Sequence, residues 1–160
     1  MCNSSKINSK YKNCCSEKSD KRIILKSKRN KKVKFIGINN ERKIFLQIDL
    51  DKFKEIENWK GLITDYILID DEKNNHFYIE LKGQNIKHAI EQIKASIKDV
   101  RPNIINIDMS DDNYAFIIAT AIPKQTKIQR EKQKFKKDFK VILQIKTNQQ
   151  KFDINKLKQL

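Results

Sequence analysis

Apolar positions along this chain change period several times, and each change marks an element. From Val33 to Ile38, Val-Lys-Phe-Ile-Gly-Ile is rich in β-branched and aromatic residues, which predicts a strand. Asn39-Asn40-Glu41-Arg42 reads as a turn, after which Ile44, Leu46, Ile48 and Leu50 alternate with Lys43, Phe45, Gln47 and Asp49. These two runs are expected to pair as a hairpin. Asp51 to Lys60 is a polar connection with room for one helical turn, and Trp59 is expected to cap the core. A further hairpin follows, with apolar runs at Thr64–Asp70 and His76–Gly83 flanking the turn-forming loop Asp71-Glu72-Lys73-Asn74-Asn75.

Beyond Gly83, Ile86, Ala89, Ile90, Ile93 and Ile97 recur at helical spacing, predicting an amphipathic helix of about thirteen residues. Pro102 is expected to break the chain, and Asp111-Asp112-Asn113 turns it into Tyr114–Ala121. That run is almost continuously apolar, as suits a strand buried on both faces. Pro123 ends it. Gln125 to Phe139 reads as a helix with Ile128, Phe135 and Phe139 on one side, and Val141 to Thr147 as the last strand. Strand, helix and strand in succession imply parallel crossovers, so the class is α/β with a mixed central β-sheet flanked by helices.

The charges of the second hairpin are unusual for its composition. Alternation puts Asp65 on one face with Ile67 and Ile69, and Glu80 on one face with Tyr78 and Lys82. Two carboxylates and an ammonium at one end of an apolar hairpin are costly unless a cation or substrate uses them. Such a set suits metal-assisted phosphodiester hydrolysis. The carboxylates of Asp65 and Glu80 would supply hard oxygen ligands to Mg²⁺ or Mn²⁺, and Lys82 would orient the attacking water. The plain alternative is a solvated sheet edge with a cross-strand ion pair.

Asp65, followed fifteen positions later by Glu80-x-Lys82, resembles the active site of the restriction-endonuclease-like, or PD-(D/E)XK, nucleases. The resemblance extends over roughly residues 33–147, through Ile79-Glu80-Leu81-Lys82-Gly83 and a helix carrying Ala89 and Gln92. These residues are similar to those of the small bacterial members of that superfamily. Thr64 stands where the family name has proline. The resemblance implies a restriction-endonuclease-like core and DNA as substrate. The helix that follows Glu80-x-Lys82 runs back past the site, so Gln92 is a candidate catalytic residue that would hold water or phosphate there, beside its reading as part of a solvated polar face. The resemblance also implies an opening helix that presents a further acid, for which Glu17 is the candidate beside its reading as a surface glutamate. His88, one turn before Gln92, reads as part of a solvated polar face.

The net charge of +15 is spread unevenly, which bears on partners. Residues 1–34 carry +10, residues 35–123 carry −4, residues 124–140 carry +6 and the remainder +3. A mildly acidic centre bracketed by basic segments suits a protein that grips phosphates outside and cuts them inside. Lysine, asparagine and isoleucine are abundant throughout, the mark of an AT-rich genome, so lysine content alone says less. On the basic helix, Lys127, Arg130, Lys134 and Lys137 are candidate contacts to nucleic-acid backbone; RNA fits the charge as well as DNA does.

Three glycines rule out a Gly-rich phosphate cradle, and no apolar run approaches the ~20 residues of a membrane span. Cys2, Cys14 and Cys15 have no zinc-site spacing and are expected to be reduced. The expectation is a cytoplasmic protein in which residues 1–20 form a flexible basic segment or first helix and residues 21–160 form one nuclease-like domain. Its activity would be endo- or exonucleolytic, in genome defence or DNA processing, as a homodimer or beside a partner subunit. The competing expectations are a non-catalytic nucleic-acid-binding or scaffolding module on the same fold, and a basic RNA-associated protein.

Overall fold

In chain order the computed structural model begins with a 3-10 helix (Ser9–Cys14), β1 (Cys15–Lys18), β2 (Arg22–Lys26), β3 (Lys34–Ile38) and β4 (Phe45–Asp49). There follow α1 (Leu50–Glu57), β5 (Tyr66–Asp70), β6 (His76–Leu81), α2 (Ile86–Ala95), a π-helical turn (Ser96–Val100) and α3 (Arg101–Ile104). The chain continues through β7 (Asn113–Ala119), α4 (Gln125–Phe139), β8 (Val141–Thr147) and β9 (Gln149–Asp153). The structure describes residues 2–81, 84–122 and 125–157, the last span without the side chains of 125–127.

Six strands form a mixed sheet in the order β1-β4-β5-β6-β7-β8, antiparallel as far as β6 and parallel from β6 to β8. The hairpin β5–β6 closes because Asp70 Oδ1 accepts the N–H groups of Glu72 (2.9 Å) and Lys73 (3.0 Å) while Asn74 takes a left-handed φ of 61°. The parallel strands are joined through α2 and α4, as the expected crossovers require. The α/β class and the mixed central sheet therefore hold.

Alternation along each strand sorts the core into two layers. Leu46, Ile48, Ile67, Ile69, Tyr78, Ala115 and Ile117 face Ile86, Ala89, Ile90 and Ile93 of α2 and Phe135 of α4. Phe45, Leu68, Phe77, Ile79, Phe116 and Ile118 face the other way, onto Ile23, Leu25 and Phe35. The second layer is a separate three-stranded sheet, β2-β3-β9. Helices thus cover one face of the central sheet and a small sheet covers the other. Gly37 in β3 makes room for this packing, since a Cβ there would stand 2.9 Å from Ile154 Cδ1.

Several expectations change here. The runs at Val33–Ile38 and Lys43–Leu50 do not pair: β3 joins β2 and β9, whereas β4 joins β1 and β5. Buried Asn39 steers the chain between sheets, its Nδ2 donating to the Asp20 and Lys43 carbonyls and its Oδ1 accepting from Lys43 N–H (3.0 Å). β8 is not the last strand, because β9 returns beside β3. Pro102 does not end the helix. The chain widens into the π turn, Arg101 N–H reaching Ser96 O, and Pro102 sits in the first turn of α3, where its missing N–H is harmless.

The first twenty residues hold a short 3-10 helix and an edge strand, with Ile7, Tyr11, Cys14 and Cys15 in the core. Cys2 and Cys15 are joined as a disulfide, Cα–Cα 5.4 Å, where reduced thiols were expected; Cys14 is a buried free thiol. No described helix is long and apolar enough to cross a membrane.

Candidate functional site

The register of β5 against β6 pairs Tyr66 with Ile79 and Ile67 with Tyr78, so the next positions outward, Asp65 and Glu80, stand opposite one another. Asp65 Oδ2 accepts the Leu81 N–H at 2.8 Å, which fixes its carboxylate across the open end of the hairpin. Glu80 is only 3% exposed. Its Oε2 lies 3.1 Å from Thr64 Oγ1, which is also 2.9 Å from the Ile79 carbonyl, so the Thr64 proton serves both acceptors. Both carboxylates fall on the helix-covered face, in line with Ile67 and Tyr78. Lys82 lies outside the described residues.

The helix after β6 grips the segment leading to Asp65. Gln92 Nε2 donates to Ile63 O (2.9 Å), and Ser96 Oγ accepts Thr64 N–H (2.8 Å). Gln92 Oε1 is buried and has no hydrogen-bond partner among the described residues. Gln92 is therefore tied to the backbone one residue before Thr64 and two before Asp65.

More charge lies beside this end of the sheet than the motif suggests. Asp49 caps α1, its Oδ1 accepting Asp51 N–H (3.0 Å), and Leu50 N–H donates to the Asp65 carbonyl (3.1 Å). Lys28, from the turn between β2 and β3, reaches Asp51 Oδ2 at 2.6 Å and Asp49 Oδ2 at 3.7 Å. Burial pushes the Tyr66 phenol above its ordinary value, and Asp49, Asp65 and Asp51 add to the shift while Lys28 opposes it. One local field thus includes the candidate carboxylate, two further acids and a lysine from the second sheet.

As a donor set, Asp65 and Glu80 fit a hard divalent cation. Among the described residues no three or more His, Cys, Asp or Glu side chains gather around one point. Mg²⁺ does not require that, since it keeps several waters and binds through one or two carboxylates together with substrate phosphate.

The remaining candidates are scattered. Glu17 is exposed on edge strand β1, in the row of Leu46 and Ile69, four residues along β5 from Asp65, and does not join the site. His88 lies half-exposed on α2, where its N–H meets the Asn85 cap. On α4, Arg130, Lys134 and Lys137 are exposed, and the Lys127 side chain lies outside the described ones. Arg130 lines a cavity of about 650 Å³ with Gln84, Asn85, Lys87, Glu91 and Ile122, between the first turn of α2 and the chain leaving β7. That cavity opens beyond the carboxyl ends of parallel strands, a common ligand position in such sheets.

Thr64, Ser96, Asp49, Asp51 and Lys28 were not singled out by sequence. Thr64 showed only as a mismatch to proline, and the others come from segments that pairing and helix packing alone bring near Asp65. Comparison of the chain with protein-family models, curated proteins and solved structures finds no match.

Proposed function

We propose that the protein is a metal-dependent nuclease of the restriction-endonuclease-like kind, hydrolysing DNA phosphodiester bonds. The observation that carries this reading is the placement of Asp65 opposite Glu80, with Asp65 held by a backbone N–H and Glu80 buried and met by the Thr64 hydroxyl. In support, one mixed sheet carries β4, β5 and β6 as antiparallel strands and β7 and β8 as parallel ones, reached by crossovers through α2 and α4.

Asp65 and Glu80 would hold Mg²⁺ or Mn²⁺. When bound, the ion supplies Lewis acidity toward the scissile phosphate and an acidified water. Lys82 would orient the attacking water by hydrogen bonding and offset charge developing on the phosphate oxygens. Thr64 fixes one oxygen of Glu80, limiting the rotation of that carboxylate. Gln92 holds Ile63 and so the approach to Asp65. One such site cuts one strand, so severing a duplex calls for a second copy or a partner subunit.

The test is cleavage of linear, supercoiled and branched DNA with Mg²⁺ or Mn²⁺, comparing wild type with Asp65→Ala and Lys82→Ala. Metal-dependent cutting abolished in both variants is the expected result. Absence of cutting, with tight and salt-sensitive DNA binding retained in chelator, would replace this reading with a non-catalytic binding module.

A further inference from the structure

The nine residues from the last of β2 to the first of β3, 26–34, contain six cations and no acid, and 27–33 form the turn between the two strands. Short polar side chains fix its shape. Ser27 Oγ accepts the N–H groups of Arg29 (3.3 Å) and Asn30 (3.2 Å), and Asn30 Oδ1 accepts that of Lys32 (3.1 Å). Ser27 N–H closes the loop on Val33 O (3.1 Å), and Val33 is buried beneath it. Lys26, Lys28, Arg29, Lys31 and Lys32 are left exposed on a shaped support.

The placement of this turn matters more than its charge. At its base, Lys34 N–H donates to Asn148 O (3.2 Å), and Asn148 N–H donates to Ala119 O (2.8 Å), at the carboxyl end of β7. On its other side, Lys28 reaches Asp51 and Asp49 at the end of β4, one residue from the Leu50–Asp65 hydrogen bond. The basic turn therefore lies along the same end of the central sheet as Asp65 and Glu80. It belongs to the layer opposite the helices, so α2 and α4 border that end from the other face.

We infer that this turn is a clamp for the phosphate backbone of duplex DNA, holding it against the end of the sheet that carries Asp65 and Glu80. Its role in delivering substrate and the choice of DNA over RNA rest on the nuclease reading; its grip on a duplex phosphate backbone does not. Among the described residues no ion pair engages Arg29, Lys31 or Lys32, so their charge is available to a partner. The segment contains no aromatic residue. Single strands are usually held by stacking on aromatic side chains, and bases are read by side chains reaching into a groove, whereas rows of Lys and Arg contact phosphates. The turn suits a duplex backbone gripped without regard to sequence.

The experiment is fluorescence anisotropy of a labelled duplex of about 20 base pairs in chelator, titrated between about 50 and 200 mM salt. Wild type is compared with the triple variant Arg29→Ala/Lys31→Ala/Lys32→Ala and with Lys132→Ala/Lys134→Ala/Lys136→Ala on α4. Removing three phosphate contacts lowers the slope of log affinity against log salt by about 3 and weakens binding by about 10-fold or more at low salt. The α4 variant is expected to change both less. Lys31→Glu, which leaves the Ser27 and Asn30 turn bonds untouched, reports the same shift on a smaller scale should the triple variant unfold.

Unchanged affinity and slope in the turn variants, or no duplex binding by wild type, overturns the inference. So does a preference for single-stranded DNA or duplex RNA over duplex DNA. Duplex binding through the turn without any cleavage in Mg²⁺ or Mn²⁺ overturns the nuclease reading and upholds the clamp. Cleavage that survives alongside turn variants of unaltered binding does the reverse.

Discussion

Two aspartates bracket strand β5, Asp65 just before it and Asp70 at its last position, and the two have opposite surroundings. Asp70, at the closed end of the hairpin, is buried, and its Oδ1 is occupied by the N–H groups of Glu72 and Lys73. Around it, other polar groups also serve the chain itself: Asn113 Oδ1 accepts His76 N–H (3.0 Å), and its Nδ2 donates to the Ser110 carbonyl (2.6 Å). Asp65, at the open end, is anchored through one oxygen to Leu81 N–H and stands opposite a second carboxylate. A buried aspartate is therefore no sign of a site by itself. What it faces decides whether it shapes a turn or can meet a ligand.

The largest effect that would separate the two ends is on cleavage. Asp65→Asn or Glu80→Gln is expected to lower metal-dependent DNA cleavage about 10³-fold or more, equivalent to about 4 kcal/mol, with a melting temperature close to wild type. A comparable loss from Asp70→Asn, measured per folded molecule, would erase the distinction.

Second comes the pH response of the closed end. His76 is 0% exposed, and its Nδ1 donates to Asn74 O (2.9 Å), leaving Nε2 as the bare acceptor of a neutral ring. Burial, with Arg101 adding to it, lowers its pKa from 6.5 to about 4. Between those values the unfolded chain binds a proton that the folded one does not, so stability falls as pH drops from about 6.5 toward 4. The shift amounts to about 3 kcal/mol in all. In His76→Asn an amide can take the Nδ1 hydrogen bond without titrating, and denaturant melts across this window should show that much less acid sensitivity.

Third, Asp70→Ala removes an acceptor shared by two turn N–H groups and should cost about 2 kcal/mol of stability by denaturant titration, sparing cleavage by the folded fraction. The smallest effect tests the support of the open end. Thr64→Val deletes the hydroxyl that meets Glu80 and should reduce cleavage by about 3- to 10-fold, in line with the loss of about 1 kcal/mol, chiefly by raising the metal concentration needed. Thr64→Ser should restore most of it. Equal behaviour of the Val and Ser variants would show that the hydroxyl has no part in holding Glu80.

Much of this was legible along the chain, for local reasons. The β5–β6 hairpin, the stripe of α2, the doubly buried β7, the bounds of α4 and the alternation that aligns Asp65 with Glu80 all follow from periodicity, because pattern and backbone geometry share the same repeat. The second sheet was not legible. Ile23 and Leu25 alternate with exposed Arg22, Ile24 and Lys26 over only five residues, too few to distinguish a strand from an apolar patch. The Asn39–Arg42 turn looks the same whether its flanking strands pair with each other or part into different layers, since a turn fixes direction and not partner.

The sequence by itself determined the local elements and the carboxylate pair at one end of a hairpin, because each depends on neighbours within a few residues. Tertiary structure alone decided which layer each strand entered, which hydroxyl met Glu80, and where the basic turn came to rest. Those outcomes depend on pairings between residues far apart in the chain, as between β3 and β9 or Lys28 and Asp51. Such contacts form only when whole apolar faces are buried together, and the free energy of that burial is a property of the assembled core.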